Sequence, residues 1–163
     1  MNKIYTYLFF VIILFIFLIL QTTLFNPSRL GRFYIDLTLI LIIYLSLTTE
    51  VRGGVFFAFL SGYMIDLFSG ASLGMYVISR LSLFVIIRFI VTKIYSDRFI
   101  VHILIIFFSI IYEWLFLYSL FSMNSDLNAV PAPSFIIINV LMNTLVGYIC
   151  FIIIKELHGK LYS

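Results

Sequence analysis

The sequence predicts an all-α fold, a polytopic membrane protein with six transmembrane helices in one bundle. Three observations predict it. Of its 163 residues 64% are hydrophobic and only 10% charged, where a soluble domain carries about 25% charged residues. The mean hydropathy is +1.21; one small core could not bury that much apolar surface, so lipid must solvate much of it. Polar punctuation then cuts the chain into six apolar lengths, and a helix that crosses the hydrocarbon core needs about 20 residues.

The first span covers roughly 5–25. It follows Lys3 and is longer than the apolar region of a signal peptide, and no small-residue cleavage site follows, so it reads as a retained span. "NPSRLGR" separates it from span two, roughly 34–50, and "TEVRGG" opens span three, roughly 54–69. Span three is short and bounded by glycine. "SGAS" leads into span four at roughly 73–92, and "TKIYSDR" into span five at roughly 99–121. The last span, roughly 134–155, follows "MNSDLNAVPAPS". Asp97 and Ser134 read as N-caps of spans five and six.

Charge placement orients the bundle. With the N-terminus inside, the cytoplasmic side receives Lys3, Arg52, Arg88, Lys93, Arg98, Lys155 and Lys160, while the opposite side receives Arg29 and Arg32. That bias predicts cytoplasmic N- and C-termini. Tyr5, Tyr7, Tyr34, Tyr95 and Tyr118 fall near span ends, as an aromatic belt requires. A net charge of +3 from scattered basic residues does not suggest nucleic acid. Cys150, the single cysteine, lies in an apolar run and reads as a small buried hydrophobe. The longest outer loop, 122–133, is too short for an extramembrane domain.

Several residues do not belong in oil. Gly54, Ala58 and Gly62 form a stripe of small residues at four-residue spacing, and Asp66 continues it one turn later. Such a stripe lets another helix approach closely. Gly70 and Gly74 bracket the following turn and supply backbone freedom there. Arg80 in span four and Glu113 in span five both fall roughly 4 Å to the outer side of the membrane centre at 1.5 Å per residue. Charges at that depth cost at least ~2.5–3.5 kcal/mol and seek partners. Arg80 has candidate acids in Glu113 and in Asp66, and Asp36 enters span two from the same side. Span six adds Asn139, Asn143 and Gly147 on one stripe, and span five adds His102 and Ser109 on the broad face of Glu113. A buried polar cluster of Asp36, Asp66, Arg80, Glu113, Asn139 and Asn143 is therefore expected. Whether it is a structural ion-pair network or lines a functional cavity stays open at this stage.

Catalysis finds no constellation. The chain lacks HExxH, GxSxG, a glycine-rich phosphate loop and any Asp/His or Cys/His set with metal spacing. No enzyme activity, cofactor or metal is expected.

The order of features resembles the rod-shape-determining MreD family of bacterial inner-membrane proteins. The likeness spans nearly the whole chain and concentrates in residues 21–80. It runs through "QTTLF", "IDLTLILIIYLSL", the Gly-Gly start of span three, "GYMID" and "SGASLGMY". Where the family opens span two with Pro-Asp-Leu, this chain has Ile35-Asp36-Leu37, keeping the acid without the proline. The resemblance carries over Asp36, Gly62, Asp66, Gly70 and Gly74; Arg80, Glu113 and Asn143 are added by depth and stripe alone. It implies a multi-pass inner-membrane scaffold without enzymatic activity, in the machinery that elongates the lateral cell wall. It further implies an MreC-like partner, with MreB, a RodA-type glycosyltransferase and a class B penicillin-binding protein beyond it, and a bundle similar to the S components of vitamin transporters. A homo-oligomer stays open. The rival expectation is a small-molecule-binding membrane component of a transporter, with the polar cluster lining its pocket.

Overall fold

The computed structural model describes residues 3–23, 35–48, 51–69, 74–93, 99–123 and 136–162. The described residues are all-helical. Six helices follow one another: α1 (Lys3–Thr23), α2 (Leu37–Thr48), α3 (Val51–Ser69), α4 (Met75–Val91), α5 (Phe99–Met123) and α6 (Ile136–Tyr162). Four of them, α1, α3, α5 and α6, are long and apolar enough to cross a membrane.

The boundaries depart from the sequence expectation where polar groups intervene. Span two was expected over roughly 34–50, but α2 has 12 residues, about 18 Å of helix. It starts at Leu37 because Asp36 caps it. At the other margin α6 runs on to Tyr162, beyond the expected end near 155. "KELHGKLY" stays helical, and Glu156 and Lys160 pair at i, i+4 with 3.0 Å between them. Helix α3 begins at Val51, so Gly53 and Gly54 lie inside its first turn rather than before it. The capping expected at Asp97 and Ser134, the turn glycine Gly70, and Arg29, Arg32, Tyr34, Tyr95 and Arg98 lie outside the described residues.

Helix α2 is the axis of the fold. Leu37 through Ser46 are all buried, and α2 packs against each of the other five helices. A helix apolar all round is stable only inside such a sheath. The core continues from α2 into Phe10 and Leu14 of α1, Phe57 of α3, Phe84 of α4, Ile106 of α5 and Phe151 of α6, all nearly inaccessible. Conversely, Leu8, Phe59, Phe89, Phe108 and Ile137 point outward, as lipid-facing residues do.

Two glycines explain how helices come close. A Cβ on Gly62 would lie 2.6 Å from Val77 Cα and 2.8 Å from the Tyr76 carbonyl oxygen, so the backbones of α3 and α4 touch there. Gly53, a position the small-residue stripe did not include, receives the Tyr7 ring, whose Cε1 would stand 2.7 Å from an added Cβ. Gly147 is less tight: an added Cβ would meet Ile106 and Ile40 side chains at 3.2–3.3 Å. Gly54 and Ala58 are buried as the stripe requires.

Candidate functional site: a buried charged cluster

The site begins with the N-terminus of α2, whose first N–H groups need acceptors. Asp36 supplies them as an N-cap. Its Oδ1 accepts from Leu39 N at 2.9 Å and from Thr38 Oγ1 at 2.8 Å. The other carboxylate oxygen, Oδ2, pairs with Arg80 Nη2 from α4. Arg80 Nη1 donates to Glu113 Oε2 on α5 at 3.2 Å, and Nη2 also lies 3.4 Å from Thr38 Oγ1. Asp36 N donates to Asn143 Oδ1 on α6 at 2.8 Å. Asn143 Nδ2 in turn donates to the Asn139 carbonyl at 2.9 Å. From α1, Gln21 Oε1 accepts from Thr38 N at 3.4 Å. Five helices thus meet in one hydrogen-bonded network.

The network is dry. Arg80 is 0% exposed, Glu113 and Asn143 5%, Asp36 6%. Taking charged and polar groups out of water is costly, and only mutual pairing with further hydrogen bonds offsets it. Here the guanidinium bridges two carboxylates, and one of these is itself shared with a helix N-terminus, where the macrodipole favours negative charge. Two carboxylates face one guanidinium, and among the described residues Glu113 Oε1 and Ser79 Oγ on α4 find no hydrogen-bond partner.

Asp66 belongs to a second device. Sequence reading offered it to Arg80, but the salt bridges of Arg80 are to Asp36 and Glu113. The Asp66 carboxylate, 1% exposed, accepts from three backbone N–H groups at the start of α4: Gly74 at 2.9 Å, Tyr76 at 3.0 Å and Val77 at 3.3 Å. Helix α4 opens on Gly74, which sits at φ 98° and brings no capping side chain of its own. An L side chain rarely adopts that backbone conformation. The sequence "GYMID" therefore works as one unit. Gly62 lets the first turn of α4 lie against α3, and one helical turn later Asp66 reaches the exposed N–H groups of that same turn.

The remaining expectations divide. Asn139 joins the network through its backbone carbonyl, and Ser109 is buried on α5. The His102 ring lies 4.9 Å from that of Phe151. Two contributors went unremarked in the sequence: Gln21 and Thr38. Thr38 had a signal, the Asp-x-Thr spacing of a helix start. Gln21 had one too, as the lone amide at the end of an otherwise apolar span.

The opposite end of α2 is finished differently. Arg88 Nη1 donates to the Ser46 carbonyl at 3.1 Å, satisfying one of the last acceptors of α2. The Tyr44 hydroxyl shares a 2.8 Å hydrogen bond with His158 Nδ1 on α6. Phe9 and Phe10 of α1 flank the same imidazole, with ring centroids at 6.3 and 5.1 Å.

Chemically, the charged cluster positions helices. Among the described residues no group of three or more His, Cys, Asp and Glu side chains converges to hold a metal ion. No family model, curated protein or solved structure matches the chain.

Proposed function

We propose that this chain is a non-enzymatic scaffold of the bacterial inner membrane that acts in cell-wall elongation by binding an MreC-like partner, as the resemblance to MreD implies. In this reading all six helices are spans, both termini are cytoplasmic, and the bundle is of the S-component type. Helices α2 and α4 fall short of the usual span length, but their ends are closed by polar groups of the protein itself. That is the circumstance in which helix ends are tolerated at membrane depth.

One observation carries the proposal. Arg80 bridges Asp36 and Glu113 in the buried interior, and the cluster spends its polar groups on joining helices rather than presenting them outward. A rigidly tied bundle suits a protein whose task is to hold partners in register. Of the five positions carried over from the resemblance, four have structural roles here and Gly70 lies outside the described residues: Asp36 and Asp66 cap helices, and Gly62 and Gly74 permit a close approach and a left-handed turn.

The test is depletion in a rod-shaped host together with affinity capture of the tagged protein. Rounded cells and co-purification of an MreC-like protein are expected; normal rods and an unaccompanied protein would overturn the proposal. MreB, a RodA-type glycosyltransferase and a class B penicillin-binding protein would follow through that partner. A second reading, a small-molecule-binding transporter component, draws on Glu113 Oε1 and Ser79 Oγ, two of the buried polar atoms that find no hydrogen-bond partner among the described residues, since buried polar groups are ordinarily hydrogen-bonded. Ligand-dependent thermal stabilisation by a vitamin or a cell-wall precursor would decide for it.

A further inference from the structure

Charge does not balance in the interior if every acid there is ionised. Among the described residues Asp36, Asp66 and Glu113 are the buried acids, and Arg80 is the one buried base. The Tyr76 hydroxyl lies within electrostatic range of all four, which places them in one neighbourhood. The salt bridges of Asp36 and of Glu113 are both to Arg80.

The surroundings of Glu113 supply no second cation. Helix α5 packs against α2, α4 and α6. The groups that face Glu113 are Asp36 from α2, and Arg80 and Tyr76 from α4. At this level α6 brings the amide of Asn143, and its described residues include no ionisable side chain before Tyr148.

The three acids differ in what stands in for water around them. Asp36 takes Leu39 N, Thr38 Oγ1 and the Arg80 guanidinium. Asp66 takes three backbone N–H groups at the start of α4. Both therefore sit at helix N-termini, which favour an anion. Glu113 stands well inside α5, where the backbone N–H groups are already spent on the helix itself. Its Oε2 accepts one hydrogen bond, from Arg80 Nη1 at 3.2 Å, and its Oε1 finds no partner among the described residues. A buried acid so poorly solvated gives up its charge rather than keep it.

We propose that Glu113 holds a proton on Oε1 and is a neutral carboxylic acid in the folded protein, making a buried proton-binding site beside the Asp36–Arg80 ion pair. The proton occupies the oxygen that receives no donor. Oε2, the carbonyl oxygen of the acid, keeps its bond from Arg80. The acid hydroxyl is then a buried neutral donor, a smaller penalty than a second uncompensated negative charge beside Asp36. Arg80 thus holds its two neighbours differently: Asp36 by opposite charge, Glu113 by a hydrogen bond to a neutral group. The inference rests on the buried cluster and not on a role in cell-wall elongation, so the two can fail separately.

The test is infrared difference spectroscopy of the full-length protein at neutral pH, with unfolding temperatures measured alongside. The wild type should show the C=O stretch of a protonated carboxylic acid, and Glu113→Gln, which keeps the shape of the neutral acid, should lose that band. Glu113→Gln should also keep the wild-type unfolding temperature, whereas Asp36→Asn should lower it. In Asp36→Asn, Glu113 becomes the counter-charge of Arg80, so its acid band should give way to that of a carboxylate. Isotope labelling of glutamate carboxyl groups in the wild type should shift the acid band, a readout that needs no variant to fold. Absence of the band from the wild type would overturn the proposal, because an ionised Glu113, whether or not a buried water serves Oε1, gives none. So would a band that labelling leaves in place, or a Glu113→Gln variant as unstable as Asp36→Asn.

Discussion

The two ends of α2 solve the same problem with different chemistry. At the N-terminal end, orphan N–H groups and the positive end of the helix dipole meet a carboxylate, and that carboxylate brings a guanidinium and a second carboxylate into the interior with it. At the C-terminal end, a half-buried arginine donates to one carbonyl and a tyrosine–histidine hydrogen bond completes an aromatic wall. The charged end joins five helices, and removing the guanidinium there strips two buried acids of their partner; the aromatic end relies on apolar packing, and each polar bond adds a modest increment. Burial of charge therefore concentrates sensitivity, while burial of rings spreads it.

This contrast can be broken at its strongest point first. Arg80→Ala leaves Asp36 and Glu113 buried without their counter-charge and should cost about 3–5 kcal/mol, read as a large fall in unfolding temperature of the purified protein. Arg88→Ala, which removes a hydrogen bond to a carbonyl at the other end, should cost about 1.5–3 kcal/mol or less. Equal effects would show that the two ends are energetically alike. Replacing the whole ion-paired set with apolar residues of similar volume should cost less than Arg80→Ala, leaving mainly the loss of the cap that Asp36 gives α2, about 0.5–2 kcal/mol. Such a variant would separate a structural role from partner binding, because a stable but inactive protein would place function in the charges themselves.

The α3–α4 contact comes next. Gly62→Ala drives a methyl group into the α4 backbone and should cost about 1–3 kcal/mol, whereas Gly147→Ala meets only isoleucine side chains that can yield, and should cost less. Asp66→Ala removes the cap from the start of α4, with an expected loss of about 0.5–2 kcal/mol. Hydrogen exchange at Tyr76 and Val77 should rise in this variant while the amides of α2 stay protected, and a uniform rise across both helices would contradict the separate roles of Asp66 and Asp36. The smallest effect is expected at the aromatic end. Tyr44→Phe deletes the bond to His158 and keeps the ring, for a loss of about 0.5–1.5 kcal/mol. A double-mutant cycle with His158→Phe would measure the coupling, and a coupling as large as that between Arg80 and Asp36 would erase the distinction drawn here.

Much of the architecture was legible in the chain because lipid-scale apolar runs and their polar interruptions report helices directly. Six helices stand close to their expected places, and the expectation that Arg80 and Glu113 meet followed from matching depth on neighbouring apolar runs. What was not legible was which carboxylate each donor would take. Asp36 and Asp66 are alike as isolated residues, each near the end of an apolar stretch. Their roles diverge because Asp36 lies at the start of the central helix, within reach of α4, whereas Asp66 lies at the end of a helix whose Gly62 draws the next helix start under it. The length of α2 was hidden for a related reason: uniform hydrophobicity marks a buried helix and a spanning helix alike. Tyr44 and His158, 114 positions apart, gave no local sign of partnership.

By itself, then, the order of residues determined that this protein is helical and apolar, where its helices begin and end to within a few residues except at the close of α6, and which of its charged side chains lie too deep to stand alone. Those properties are local: they follow from runs of similar side chains and from caps and breakers a few residues away. Tertiary structure decided which helix became the sheathed axis, which acid faced Arg80 and which acid capped a neighbour. Such choices depend on the distances between segments far apart in the chain, and those distances exist only once the helices have packed.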